Sequence, residues 1–247
     1  SVKEASSEVD FVVTMVPVGS NVREIFLEDG ILAAAAPGTV MIDSSTIDVG
    51  SAQAVHEAAK SAGFNMIDAP VSGGVIGADA GTLTFMCGGD KDSFEKAKPI
   101  LQGMGKNIVH CGSGGLGQAT KICNNMLAGI NALAAAEAMT MGERLGVSPD
   151  ILYEVISTST GRSYIFETSN PMPDVCSTSP ANNKFKPGFM AKLMLKDLRL
   201  SQAAAQDAKT STPLGAAATA AFQQLIDSGF GDLDTSSIIK VIKPESK

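Results

Sequence analysis

Lys121 and Asn125, four residues apart, stand just inside a long helix-like stretch that opens at the glycine run Gly112-Ser-Gly-Gly-Leu-Gly117. On a helix that spacing puts both side chains on one face, about 5–6 Å apart at Cβ. An amine whose charge is disfavoured by burial or nearby cations becomes a general acid or base near neutral pH, and an amide beside it orients a hydroxyl. The pair is therefore the expected seat of proton transfer. The plainer alternative is a solvated lysine above a core asparagine that caps a neighbour. Ser72-Gly73-Gly74 follows a strand-like segment and offers N–H groups and a hydroxyl with no side chains in the way, which suits a carboxylate. A plain turn would need only one of those glycines. Lys196-Asp197 interrupts the apolar run Leu193-Met-Leu-Lys-Asp-Leu-Arg-Leu200, either as a functional cation or as an ion pair on the wet face of a helix.

Residues 112–117 also match G-x-G-x-x-G between a strand and a helix, the usual dinucleotide fingerprint. Their context argues against it. A fingerprint needs a shorter helix, a second strand and an acidic residue about 20 positions on. Here Glu137 lies inside a helix that continues. The glycines are expected instead to bring the helix start close to another backbone or a ligand.

These groups need elements to hold them. No proline interrupts residues 117–147, and Ile122, Leu127, Ile130, Leu133 and Leu145 recur among alanines. The pattern predicts a helix of about 29 residues, about 43 Å long, enough to tie two domains together. Before it, residues 9–16, 39–43, 65–69, 82–86 and 107–111 have strand composition, while 21–27, 51–62 and 92–104 have helix composition. Such alternation predicts βαβ units in a doubly wound parallel sheet, with ligands beyond the carboxyl ends of its strands. Those ends carry Thr14-Met-Val-Pro17, Asp43-Ser-Ser-Thr46 and Asp68-Ala-Pro-Val-Ser-Gly-Gly74. After the long helix, residues 149–157, 189–209, 213–228 and 235–242 are helix-like, and 169–187 form a loop long enough to be functional.

With 44% hydrophobic and 18% charged residues over 247 positions, the chain has the profile of a globular protein with room for one large or two ordinary domains. A net charge of -7 argues against a nucleic-acid partner and favours a small molecule. Cys87, Cys111, Cys123 and Cys176 show no C-x-x-C spacing and only two histidines exist, so no metal site is expected and the thiols should be buried and free. No apolar run is long enough to span a bilayer. Neither His56 nor His110 is given a role.

Taken together and in order, these motifs resemble the β-hydroxyacid dehydrogenase family from about residue 9 onward. Asp68-Ala-Pro-Val-Ser-Gly-Gly74, with Ala78 and Gly81, is similar to its substrate motif. Gly112, Gly115, Gly117, Lys121 and Asn125 match its catalytic motif, and Lys196-Asp-Leu its cofactor-side lysine motif. Lys121-Ile-Cys-Asn-Asn-Met-Leu127 and Ser179-Pro-Ala-Asn-Asn183 resemble the hydroxyisobutyrate branch more than relatives acting on tartronate semialdehyde or glyoxylate, and the nearest enzyme alternative is a reductase for succinic or tartronate semialdehyde. The resemblance implies NAD as cofactor, contacted by Val16, Pro17, Asn21, Thr46 and Lys196. It implies substrate held by Ser72, Gly73, Gly74 and Asn125, and proton transfer by Lys121. The implied reaction oxidises 3-hydroxyisobutyrate to its semialdehyde in valine breakdown, in the mitochondrial matrix, by a homo-oligomer (dimer or tetramer).

One departure matters. The family opens with a strand, a glycine fingerprint, a helix and a second strand that sets NAD against NADP, whereas this sequence starts near the fourth strand. Either the native protein is longer or the fragment is impaired; the non-enzyme alternative is an oligomerisation scaffold held through alanine-rich helices. The expected division is a truncated Rossmann-like domain at 1–112 and an all-helical domain at 113–247, joined by the long helix.

Overall fold

The computed structural model describes residues 1–28 and 30–243, and the chain divides into two compact units, Ser1–Cys123 and Asn124–Lys247. In the first, α1 (Val2–Ser6) precedes β1 (Phe11–Thr14), α2 (Gly19–Arg23) and α3 (Ile31–Ala34). Then come β2 (Val40–Asp43), α4 (Val49–Ser61), β3 (Asn65–Asp68), β4 (Val71–Ser72) and α5 (Gly74–Asp79), followed by β5 (Leu83–Gly88), α6 (Lys91–Gln102) and β6 (Gly105–Gly112). The expected helix at 21–27 is α2 running on as a π-helical turn, Glu24–Glu28. α1, α3 and α5 are too short for a hydrophobic period to announce them.

The expected all-parallel sheet is corrected to a mixed one. β1, β2 and β3 are parallel and in register, Thr14 opposite Asp43 and Asp43 opposite Asp68, and β6 is parallel to β5. β5, however, runs antiparallel to both β3 and β4. Asp68 opposes Gly88, Val71 opposes Phe85 and Ser72 opposes Thr84, which is one continuous register. The Met86 N–H bonds Pro70 O across the gap, and Pro70 has no N–H to return the bond. β3 and β4 are thus one strand broken by proline, and α5 with its glycines closes a hairpin. A hairpin reverses the chain without the helical crossover that a parallel pair requires.

Alternation along the strands builds a core on each face of the sheet. Met41 and Met66 pack with Val22, Phe26, Val55 and Ala59, whereas Ile42 and Ile67 pack with Phe85, Phe94, Ala97 and Leu101. Helices therefore cover both faces, as double winding requires.

The second unit is helical. It holds most of α7 (Leu116–Arg144), then α8 (Pro149–Ser157), α9 (Tyr164–Thr168), α10 (Ala191–Asp207), α11 (Pro213–Asp227) and α12 (Ile239–Ile242), with 3-10 turns at Pro180–Asn183 and Thr235–Ile238. Ala132, Ala136 and Met139 of α7 pack with Met194 and Leu198 of α10 and with Phe222 and Leu225 of α11. The loop at 169–187 is tied by its own side chains: Ser179 Oγ donates to Asn170 O (2.5 Å) and Asn182 Nδ2 to Cys176 O (2.8 Å).

α7 starts hard against the sheet. A Cβ on Gly117 would lie 2.3 Å from Met86 O and 2.7 Å from Asp68 O, both backbone atoms that cannot swing away. Gly117→Ala is expected to cost about 1–3 kcal/mol by overpacking, measured by urea unfolding. A change below about 0.5 kcal/mol, the range of a neutral surface substitution, would show that the helix start is not wedged there.

Candidate active site

The first turn of α7 is held by a buried carboxylate. Asp68, fully buried at the end of β3, accepts the Gly115 N–H at 2.7 Å on Oδ1 and the Gln118 N–H at 2.8 Å on Oδ2. An anion at a helix N-terminus is stabilised by the N–H groups that have no intrahelical partner. The N–H groups that would cradle a pyrophosphate in a true fingerprint are therefore committed to Asp68. Gly114 gives room for His56, since a Cβ there would lie 2.5 Å from the imidazole ring. His56 Nε2 sits 2.8 Å from Asp68 Oδ1.

Gln118 ties this helix start to the segment after β2. Its Nε2 donates to Ser45 O (2.8 Å), and its Oε1 accepts the Ile47 N–H (3.1 Å). Ser45 in turn accepts the Val16 N–H on Oγ (2.8 Å) and donates to Asp43 Oδ1 (2.7 Å), which also accepts from Thr14 Oγ1 (2.8 Å). Val16, after β1, and Thr46, after β2, are thus held by one hydrogen-bonded set. Gly19 lets the start of α2 sit beside that of α4: a Cβ there would meet Asp48 Oδ2 at 2.5 Å and Ser51 Oγ at 2.6 Å.

Lys121 follows Gln118 by one turn and is 7% exposed, so it is no solvated surface lysine. Ser72 ends β4, and Gly73 and Gly74 carry φ of 136° and 61°, backbone that side-chain-bearing residues rarely adopt. The two glycines are exposed and open α5. In the second unit Asn125 is buried and donates to Asp197 Oδ2 at 2.5 Å, while Lys196 pairs with Asp197 Oδ1 at 3.3 Å. Asp197 is 2% exposed, so the Lys196-Asp197 pair does not lie on a wet face.

Asp68 stands in a motif the sequence singled out, but its grip on α7 was not foreseen, nor were Gln118 and His56. A signal existed for His56. It shares a face of α4 with Ala52 and Ala59, both buried, so the helical period turns it inward. His110 stacks on Phe94 with centroids 4.8 Å apart, and its Nε2 lies 2.8 Å from Gly89 O. The expectation that all four cysteines are buried is corrected. All are free, but Cys111 is half-buried and Cys123 exposed, because Cys123 lies off the apolar stripe of α7. Burial pushes the Cys87 thiol up to about 12.

The edge beyond β1 and β2 suits a flat polar ring system with apolar faces. Met15 is 70% and Val18 41% exposed in the segment between β1 and α2. The segments after β1 and β2 lie at the carboxyl ends of parallel strands, where doubly wound sheets hold dinucleotides, and their residues are the candidates for a nicotinamide cofactor.

Comparison with known proteins agrees. Residues 1–112 match the NAD-binding domain of 6-phosphogluconate dehydrogenase, and residues 115–242 match the NAD-binding domain of NADP-dependent 3-hydroxyisobutyrate dehydrogenase. The chain is 43% identical to the NAD-dependent L-serine dehydrogenase of Pseudomonas aeruginosa, over 99% of this chain and 82% of that one. It is 39% identical to mitochondrial 3-hydroxyisobutyrate dehydrogenase of Mus musculus, over 98% and 72%. The solved Mycobacterium tuberculosis 3-hydroxyisobutyrate dehydrogenase with L-serine superposes with a TM-score of 0.93 at 45% identity, covering 98% of this chain and 82% of that one. The chain belongs to the 3-hydroxyisobutyrate dehydrogenase family, with a Rossmann-like NAD-binding domain followed by a helical domain.

Two substitutions test these buried carboxylates, Asp43 in the first unit and Asp197 in the second. Burial raises the Asp43 carboxyl above its ordinary value of 3.8, against the opposing bonds from Ser45 and Thr14 and with the charge of Asp68 adding to the rise. A raised folded-state pKa contributes stability that is present below the unfolded value and lost as pH rises through the folded one. Asp43→Asn keeps an acceptor for Thr14 and Ser45 but cannot ionise, so its stability relative to wild type should improve as pH is raised from below 3.8 to 7. Urea unfolding across that range checks it, and a pH-independent difference would refute it. Asp197→Ala should cost about 1–3 kcal/mol because it leaves the buried Asn125 amide unpaired, and thermal unfolding reads this directly.

Proposed function

We propose that the protein is an NAD-dependent dehydrogenase that oxidises 3-hydroxyisobutyrate to methylmalonate semialdehyde, with Lys121 as its proton-transfer residue. The observation that carries this reading is the buried amine of Lys121, one turn past an anchored helix start, in a chain of this family. Ser72, Gly73 and Gly74 would receive the substrate carboxylate on the hairpin hydroxyl and N–H groups, and Asn125 would hold the substrate from the next turn of α7. Val16, Pro17, Asn21, Thr46 and Lys196 would contact the cofactor. NAD, when bound, supplies the hydride acceptor. Lys121, as the neutral amine, takes the hydroxyl proton while the C–H electron pair leaves carbon, so the C–O bond becomes a carbonyl and one hydride and one proton depart.

L-Serine is a second reading, favoured by the relative named for it and by the solved relative described with it. Both molecules carry a carboxylate and a primary hydroxyl and differ in a methyl or an amino group between them. Further parts of the reading rest on less. We assign residues 1–112 and 113–247 to the two domains, in keeping with the family matches at 1–112 and 115–242. A homo-oligomer would cover exposed apolar residues of the helical unit such as Met141, Leu145 and Val155. A mitochondrial location is suggested by the mouse relative's name, while the other two relatives are bacterial; the matrix and a place in valine breakdown rest on the family resemblance alone.

Lys121→Ala is expected to lower kcat by about 10²–10⁴ with little change in the KM for NAD. Near-normal turnover would remove the proton-transfer assignment. The ratio of kcat/KM for 3-hydroxyisobutyrate and L-serine, measured on the wild type, decides between the two substrates.

A further inference from the structure

We propose that Gln118 is a positioning residue that couples the cofactor-side segment around Thr46 to the helix carrying Lys121. The inference rests on the functional reading of Thr46 and Lys121 given above. Gln118 is fully buried, and its amide is used on both sides by backbone: Ser45 O accepts from Nε2 and the Ile47 N–H donates to Oε1. Those two groups flank Thr46, so the side chain of one helix residue takes the place that a neighbouring strand would take. It holds the segment 71 to 73 residues away in sequence. The Gln118 backbone N–H is meanwhile fixed on Asp68 Oδ2 at 2.8 Å. One residue is therefore bonded at its side chain to the loop after β2 and at its backbone to the end of β3.

The connection extends in both directions. Ser45 Oγ receives the Val16 N–H, which brings the segment after β1 into the same set. Lys121 lies three residues past Gln118 on α7, so a shift of the helix start relative to Thr46 becomes a shift of the amine relative to whatever Thr46 holds. Hydride and proton leave neighbouring atoms of one substrate, and the geometry between a hydride acceptor and a base tolerates little error: a misplacement of about 1 Å can cost about 100-fold in rate. Loop polar groups need partners of some kind. A partner drawn from the catalytic helix does more than satisfy them.

The test compares Gln118→Met, which keeps the volume but loses both bonds, with Leu101→Ala, which loosens the core under α6. In the purified protein Gln118→Met should raise the KM for NAD about tenfold and lower kcat about 10- to 100-fold, with the hydroxy-acid KM nearly unchanged. Leu101→Ala should lower the melting temperature without that split. Hydrogen exchange supplies a readout independent of turnover: the Ile47 amide should lose protection in Gln118→Met, and in the wild type NAD should slow exchange at Ile47 and in the first turn of α7 together. Kinetic constants of Gln118→Met that match those of Leu101→Ala, or an NAD effect confined to the Thr46 segment, would overturn the coupling. Should Lys121→Ala retain turnover, the proton-transfer reading fails, while the effects on NAD affinity and Ile47 protection still judge Gln118.

Discussion

A carboxylate with no access to water holds the first unit's working parts in place. Asp68 accepts two N–H groups from the first turn of α7 and faces the His56 imidazole. A buried anion without such partners would be costly, and unpaired N–H groups at a buried helix start would be costly as well. Each removes the other's penalty, so the end of β3 and the start of α7 are stable only together. Gly88, Gly114 and Gly117 are glycine because a side chain at any of them would strike Asp68, His56 or the backbone of the sheet. The glycine run looks like a phosphate-binding turn because both solve one problem, the approach of an anion to a helix N-terminus. Here the anion is the protein's own.

From that joint the residues proposed to act follow one another along α7. Gln118 reaches the segment after β2, Lys121 follows one turn later, and Asn125 one turn later again, where it meets Asp197. Proton transfer by a lysine needs an amine kept from bulk water and held still. In the role proposed for Lys121, burial would provide the first and the Asp68 anchor the second. The antiparallel hairpin is the proposed other half: β4 ends at Ser72, and the positive φ of Gly73 and Gly74 turns the chain there into α5.

Much of this was legible in residue order, and the failures have physical causes. Strand and helix alternation located the sheet and its helices, because Met41 and Ile42, or Met66 and Ile67, pack on opposite faces of buried strands. The parallel reading failed at β5, since a proline at 70 conceals that β3 and β4 are one strand, and a six-residue helix between strands looks like loop. Lys121 and Asn125 were visible because helical spacing is local. Gln118 and the grip of Asp68 on α7 were not, because their partners lie 47 to 73 residues away and no local pattern encodes a long-range hydrogen bond. The membership of the chain in the 3-hydroxyisobutyrate dehydrogenase family agrees with the motif order, while the choice between a methyl and an amino group on the substrate depends on contacts that no motif spells out.

The most direct measurement is the distance from Lys121 Nζ to the substrate hydroxyl oxygen in crystals of the protein grown with NAD and 3-hydroxyisobutyrate. A general base must lie within about 2.6–3.2 Å of that oxygen, with the carboxylate received by the N–H groups at Gly73 and Gly74. A lysine turned away from the hydroxyl, with another side chain or a water chain in its place, would contradict the assignment of proton transfer to Lys121.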